Sequence, residues 1–120
     1  MIISHVMTYI LALGLLVLTA RSALMPRAAA RGFGVPIPEG IDPTPYLEVK
    51  ANRDFVLAGL LILVTFAGDT LLSAGLFIGT ISPAADAIIV KRHGKPSDTI
   101  VHLATVAYMV AAGALAAIGH

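Results

Sequence analysis

The 120-residue chain contains no cysteine. This absence excludes disulfide bonds, thiolate-bound iron–sulfur clusters and cysteine nucleophiles, and it removes redox usage as a guide to the compartment. Charged residues are also scarce, at 12% of the sequence, whereas 58% of the residues are hydrophobic. A soluble domain of this length has too small an interior to bury so many apolar side chains. The composition therefore predicts a single membrane-embedded domain over residues 1–120.

Several motifs of catalysis and cofactor binding are also missing. The chain has no glycine-rich phosphate loop and no nucleophile elbow, and no two histidines are spaced to place two metal ligands on one helix. A metal site built from Asp86, His93 and His102 would need three separate segments to converge. We therefore expect no metal and no cofactor. The net charge of +1 gives no reason to expect a nucleic-acid partner.

Four hydrophobic runs divide the chain. They cover residues 2–20, 55–68, 71–90 and 100–118. A helical span needs about 20 apolar residues to cross a bilayer, so the short second run must borrow residues 51–54. A turn at residues 68–70 separates the second run from the third. The pattern predicts an all-α integral membrane four-helix bundle.

The eight Lys and Arg residues fall in only two of the polar stretches. Five lie between Arg21 and Arg53, and three lie between Lys91 and Lys95. Cationic loops of membrane proteins stay in the cytoplasm. Both loops are therefore predicted to be cytoplasmic, with both termini on the non-cytoplasmic side. The expected location is a bacterial inner membrane or a eukaryotic internal membrane.

The long cytoplasmic loop between the first two spans covers residues 21–54. Its first part is rich in alanine, with Pro26 early and Gly34 at the end, which predicts a short helix from Ser22 to Gly34. Its middle carries four of the seven prolines and is predicted to be extended or turned. A loop of this length in so small a protein tends to be mobile or to cover a cavity as a lid.

Ionisable residues at membrane depth form the candidate site. A charge inside a membrane is costly unless it is paired or solvated. Arg53 and Asp54 begin the second span, Asp86 lies about one helical turn inside the end of the third, and His102 lies about one turn into the fourth. The predicted topology brings these four side chains to one level at the cytoplasmic end.

These residue types suit acid–base chemistry without a cofactor. Asp54, beside Arg53, is predicted to stay ionised and act as a base, whereas the deeper Asp86 holds a proton more readily and acts as an acid. His102 would carry protons, because imidazole titrates near neutral pH. The predicted substrate-binding side chains are Asn52 and Tyr46. The expected ligand is a lipophilic small molecule from the bilayer, and epoxide opening and double-bond isomerisation are the reactions considered.

Two other functions remain open on the sequence alone. In an oligomeric proton or small-solute transporter, the same charges would form a relay, with His5 and Asp69 as a second gate at the outer face. In a structural or assembly subunit, a salt bridge from Arg53 to Asp86, with His102 bonded to a carbonyl, would only hold the helices together.

Small residues lie on single faces of the predicted spans. Gly75 and Gly79 form a G-x-x-x-G match, and the last span is rich in alanine. Such residues let helices approach closely, either within one chain or between two copies. The expected partners are therefore the lipid bilayer, the lipophilic ligand and a second copy bound through Gly75, Gly79 and the last helix.

Six short segments, spread over nearly the whole chain, carry a resemblance to a known family. They are residues 21–26, 32–36, 50–54, 86–90, 92–94 and 101–102. In these segments the chain resembles the small bacterial and fungal membrane proteins grouped as domain of unknown function 4267. The resemblance implies a four-span membrane protein. It implies no activity, so no catalytic role is transferred to any residue.

Overall fold

The computed structural model describes residues 2–120, so Met1 of the predicted domain lies outside the described residues. The helices are α1 (Ile2–Leu24), α2 (Pro26–Phe33), α3 (Thr44–Thr65), α4 (Asp69–Gly79), α5 (Ile81–His93) and α6 (Ile100–Ala117). A short 3-10 helix, Pro96–Thr99, leads into α6. No β-strand occurs in residues 2–120, and the predicted all-α class is confirmed.

Three helical segments are long and apolar enough to cross a membrane. They are Ile2–Leu24, Asp69–His93 and Pro96–Ala117. These segments agree with the predicted membrane protein. Helix α3 is 22 residues long, but charged side chains occupy its first half as far as Asp54.

The segment Asp69–His93 consists of α4 and α5, which meet at Thr80. The break follows from Pro83, which has no N–H to donate to the carbonyl group four residues earlier. Thr80 itself keeps helical angles (φ −63°, ψ −20°), and its carbonyl group accepts a hydrogen bond from the N–H of Ala84 at 3.0 Å. Residues 84–90 therefore continue the same helical segment and do not fold back.

The helices pack as two antiparallel pairs. Helix α1 lies along α3, and the segment formed by α4 and α5 lies along α6. Contacts of α1 with α6 and of α3 with α4 join the pairs. The buried apolar core between them consists of Leu61, Leu72, Leu76, Ala112 and Ala116. One end of the molecule thus holds the start of α1, the end of α3 and the end of α6.

The opposite end is built by α2, the segment 34–43 and the start of α3. The predicted short helix is present as α2, but it begins at Pro26 and not at Ser22, because residues 22–24 continue α1. Gly34 ends α2 in the left-handed region at φ +97°. Ala29 and Ala30 of α2 pack on Leu47 of α3. Because Pro45 falls in the first turn, where proline is tolerated, α3 begins at Thr44. The non-helical part of the predicted loop is therefore shorter than residues 21–54.

Candidate functional site

Arg53 and Asp86 form a two-pronged ion pair between α3 and α5. Nη1 of Arg53 donates to Oδ1 of Asp86, and Nη2 donates to Oδ2, both at 3.1 Å. This fork matches the planar guanidinium to the planar carboxylate and is the strongest common geometry for such a pair. The predicted convergence of Arg53 and Asp86 is present in the structure.

Asp54 lies beside this pair and is only 2% exposed. Nζ of Lys50 donates to its Oδ2 at 2.6 Å, and Nη2 of Arg53 approaches its Oδ1 at 3.4 Å. Both buried carboxylates therefore have a cationic partner. Arg53 stands between Asp54 and Asp86 and contacts each of them. The division into a base at Asp54 and an acid at Asp86 stays a prediction.

His102 is held by α2. Its Nε2 lies 2.9 Å from the carbonyl oxygen of Phe33, and the two rings meet edge to face with centroids 4.8 Å apart. A carbonyl oxygen can only accept, so Nε2 carries a proton and Nδ1 is the ring atom left for another partner. Nζ of Lys50 lies 5.8 Å from the centroid of the Phe33 ring, within range of a cation–π contact.

A cavity of about 550 Å³ opens beside these charges. Its polar end is lined by Lys50, Arg53, Asp54, Asp86 and His102, and Arg21 and Ser22 also line it. The remaining wall is mainly aliphatic and includes the side chains of Leu11, Leu15, Leu18, Leu57, Leu60, Leu61 and Val64. The volume lies in the range of ligand-binding cavities, which combine an apolar wall with a few polar groups.

Two buried polar atoms at this cavity have no hydrogen-bond partner within residues 2–120. They are Oγ of Ser22 and Nε of Arg53. Buried polar groups in folded proteins are nearly always bonded, because an unpaired one keeps its full desolvation cost. Both residues line the cavity, but these two atoms are buried and do not reach its surface.

The two predicted substrate-binding residues lie elsewhere. Asn52 is exposed, and Tyr46 is 67% exposed. Neither is among the described residues that line the cavity. Both stand on α3, where Asn52 lies on the side opposite Asp54 and Tyr46 lies about two helical turns before it. We therefore do not include them in the proposed site.

A second cavity, of about 500 Å³, lies between α2, the segment 34–43 and the start of the 3-10 helix. Its charged lining residues are Arg27, Arg31, His93, Lys95 and Asp98. His93 thus lines a different cavity from Asp86 and His102. In the described part of the chain, no three His, Asp or Glu side chains are grouped so that they could hold a metal ion.

At the opposite end, polar contacts join α1 to α3 and α6. Nε2 of His5 lies 3.0 Å from the carbonyl oxygen of Thr65, and the Tyr9 hydroxyl group lies 3.0 Å from Oγ1 of the same threonine. The Tyr108 hydroxyl group donates to the Met7 carbonyl oxygen at 2.9 Å. Asp69 is not among the described residues lining either cavity.

The glycines of the G-x-x-x-G match face neighbours in the same chain. A Cβ added at Gly75 would lie 3.3 Å from Cγ2 of Val64, and one added at Gly79 would lie 2.7 Å from Cε of Met109. Close packing within one chain accounts for both positions. A homo-oligomer through this face stays a prediction.

Sequence reasoning missed three residues of the site. Lys50 is not among the predicted site residues, although its position four residues before Asp54 is the spacing of a helical ion pair. Phe33 and Ser22 were placed only in a short loop helix. No local pattern marks them, because their contact with the cavity depends on how α1 and α2 pack on α3.

Comparisons with known proteins add the family but no activity. The search of curated proteins and the search of solved structures found no match. A family model described as domain of unknown function (DUF4267) matches residues 12–116, which include every charged residue at the polar end of the larger cavity. The chain therefore belongs to the DUF4267 family.

Proposed function

We propose that the protein is a four-span membrane protein with both termini on the non-cytoplasmic side. The fourth span would be the apolar part of α3, which follows Asp54. All eight Lys and Arg residues lie at the end that holds α2 and the 3-10 helix, and the other end has none among residues 2–120. This one-sided distribution is the one that cytoplasmic loops show. The membrane would be a bacterial inner membrane or a eukaryotic internal membrane.

The same protein binds a lipophilic small molecule in the larger cavity. The observation that carries this proposal is the two-part lining, with charged side chains at the cytoplasmic end and aliphatic side chains along the rest. An amphiphilic molecule from the bilayer matches both parts at once. Its polar group would lie against Arg53, Asp54, Asp86 and His102, and its apolar part would lie along α1 and α3.

Acid–base catalysis is the enzymatic form of this proposal. Asp54 as base, Asp86 as acid and His102 as proton carrier would act on the polar group, for example in epoxide opening or isomerisation. In the structure Arg53 binds both carboxylates. A substrate oxygen must therefore share or replace Arg53 before either carboxylate can exchange a proton with it.

A structural role is the competing function, and one observation favours it. The fork between Arg53 and Asp86 joins α3 to α5, and the bond from His102 to Phe33 joins α6 to α2. Contacts of this kind hold helices together without any ligand. A transport role has less support, because Asp69 is not among the described residues that line a cavity.

Ligand retention during mild extraction tests the proposal. The protein is released from membranes in lipid nanodiscs, and bound small molecules are identified by native mass spectrometry. Leu57 lines the cavity, so Leu57→Trp fills part of it. Phe55 lies on the same helix and is 59% exposed, so Phe55→Trp is the matched control. We expect wild type and Phe55→Trp to retain an amphiphilic molecule that Leu57→Trp loses.

The double variant Arg53→Leu, Asp86→Leu separates binding from a structural role. Replacing both partners of a buried ion pair with apolar residues is often neutral for stability. A ligand-binding role predicts that the double variant folds and loses the molecule. If wild-type protein carries no molecule and the double variant differs only in stability, the charges are structural and the binding proposal is wrong.

A further inference from the structure

We propose that the polar group of the ligand is an uncharged hydroxyl, so that the ligand is a long-chain alcohol or another single-chain amphiphile with a neutral hydroxyl head. This inference rests on the proposed binding function and names its ligand class. It starts from the way in which the charged side chains at the polar end of the larger cavity pair with one another.

The charges at this end are balanced within the chain. Nζ of Lys50 binds Oδ2 of Asp54 at 2.6 Å. Both terminal nitrogens of Arg53 bind Asp86 at 3.1 Å. Two cations therefore meet two carboxylates, and no charge is left over. The side chains of Asp54 and Asp86 are only 3% and 10% exposed, so solvent and salt screen these charges little.

Arg21 also lines the cavity but does not change this balance. It is exposed, and its Nη2 donates to the Ala28 carbonyl oxygen at 3.4 Å, so its charge stays in contact with water. A charged ligand head would bring a charge that no group at the polar end is free to pair. Because an unpaired charge removed from water carries a large desolvation cost, this end of the cavity favours an uncharged head.

The hydrogen-bonding groups at this end favour a hydroxyl among the uncharged heads. A carboxylate oxygen can accept two hydrogen bonds, so the fork leaves each oxygen of Asp86 able to accept another. His102 donates through Nε2 to the Phe33 carbonyl oxygen, so its neutral ring can otherwise only accept. The ammonium group of Lys50 has N–H donors to spare. A hydroxyl can donate to such acceptors and accept from such a donor, whereas an ether oxygen can only accept.

Four probes that share one hexadecyl chain test the head group. Wild-type protein in lipid nanodiscs is incubated with equal amounts of hexadecanol, hexadecyl methyl ether, hexadecyl sulfate or hexadecyltrimethylammonium, and occupancy is counted by native mass spectrometry. Hexadecanol should bind at least about tenfold more tightly than either charged probe, because a buried unpaired charge costs more than a buried unpaired neutral group. It should also bind more tightly than the ether, which cannot donate.

The outcomes separate this assignment from the proposed function. If the ether or either charged probe binds as tightly as hexadecanol, the hydroxyl assignment is overturned while the proposed function stands. If none of the four probes binds, the proposed function fails as well.

Changing the charge balance should change the preferred probe. Asp86→Asn leaves one cation unpaired at the polar end, so hexadecyl sulfate should gain about tenfold in affinity relative to hexadecanol. Lys50→Met removes one positive charge and keeps the ion pair between α3 and α5. In that variant hexadecyltrimethylammonium should gain instead, and this result does not depend on the folding of Asp86→Asn.

Asp98→Asn is the matched control. Asp98 carries the same charge as Asp86 but lines the second cavity, so its substitution should leave the order of the four probes unchanged. A gain of the anionic probe in Asp86→Asn would also show that the size of the sulfate head is not what excludes it from wild type. If Asp86→Asn and Lys50→Met change only stability and keep the wild-type order of probes, charge balance does not select the ligand and the proposal is wrong.

Discussion

Arg53 combines two tasks in one side chain. Its two terminal nitrogens hold Asp86, and Nη2 also approaches Asp54. The side chain is nevertheless 39% exposed, so it is less desolvated than the carboxylates it pairs. A guanidinium suits this position because its planar donors match carboxylate geometry, which a lysine ammonium group does not. The shared guanidinium also partly neutralises the two negative charges that it contacts.

Removing the charge of Asp86 should destabilise the fold. Breaking one partner of a fully buried ion pair costs about 3–5 kcal/mol. Because Arg53 is partly exposed and keeps Asp54, we expect Asp86→Asn to lower the free energy of unfolding by about 2 kcal/mol. Thermal unfolding in detergent measures the change, with Glu39→Gln in the exposed loop as the control. An Asp86→Asn protein as stable as wild type would show that the fork contributes nothing.

Gly34 is required by two features at once. Its φ of +97° lies in the left-handed region, and an added Cβ would lie 2.8 Å from Cβ of Asp98. Gly40 shares a positive φ, +79°, but no described atom lies within 4 Å of its added Cβ. Gly40→Ala should lower the free energy of unfolding only by the cost of the left-handed backbone, about 1–2 kcal/mol. Gly34→Ala should lower it by at least about 1 kcal/mol more, because its Cβ also meets Asp98. Equal melting temperatures for the two variants would contradict the close approach of α2 to the 3-10 helix.

Helix α3 joins a charged half to an apolar half. Its first turn is fixed by Asp42, whose Oδ1 accepts a hydrogen bond from the Thr44 N–H at 2.9 Å. The hydrogen bond favours the ionised carboxylate and lowers the pKa of Asp42. Since α3 supplies Lys50, Arg53 and Asp54, its starting point sets the position of the charged end of the cavity.

The lowered pKa of Asp42 makes this turn sensitive to acid. A carboxyl group with a depressed pKa in the fold contributes its full stabilisation above its unfolded value, about 3.9, and loses it as the pH falls through the folded pKa. The amide proton of Thr44 should therefore titrate in NMR spectra with a midpoint below about 3.9. Asp42→Asn should abolish this titration, because the amide cannot ionise. A midpoint at or above the usual value would contradict the hydrogen bond.

The whole molecule has one cationic end and one end without Lys or Arg among residues 2–120. This asymmetry can be tested directly, because the chain has no cysteine and single cysteines can be placed at will. With the protein expressed in a bacterial inner membrane, a membrane-impermeant maleimide should label Ile118→Cys in intact cells and label Glu39→Cys only after permeabilisation. Both positions are exposed, so accessibility within the protein is matched. The opposite labelling pattern would reverse the proposed orientation.

Much of the architecture could be predicted from the sequence because it depends on local signals. The helix at Pro26–Phe33 follows from its early proline and terminal glycine, and the apolar segments follow from composition. The start of α3 could not be predicted, since Lys50 and Arg53 in its first half are typical of a polar loop. Only the structure shows that they pair with Asp54 and Asp86. Their helical conformation depends on packing against α1 and α2.

The site was predicted in part for a similar reason. Arg53, Asp54, Asp86 and His102 stood out because charged or titratable groups are rare in the apolar segments, and all four line one cavity. The position of each residue along its helix could be counted from the sequence, but the direction in which its side chain points around the helix axis could not. Asn52 is adjacent to Arg53 in sequence, yet its side chain is exposed. Ser22 gave no signal, because a serine in a helix is ordinary until its hydroxyl group is found buried.

The break at Thr80 gives the cavity walls unequal stiffness. Gly79, Ser82 and Pro83 all line the cavity, so the weakened point of the α4 and α5 segment lies in its wall. The facing wall consists of α1 and α3, which are continuous helices packed along their length. Bending at a proline costs less than bending an intact helix. Widening of the cavity should therefore come from tilting α5 about Thr80. Because the ion pair between Arg53 and Asp86 joins α3 to α5, this pair must break before α5 can tilt away.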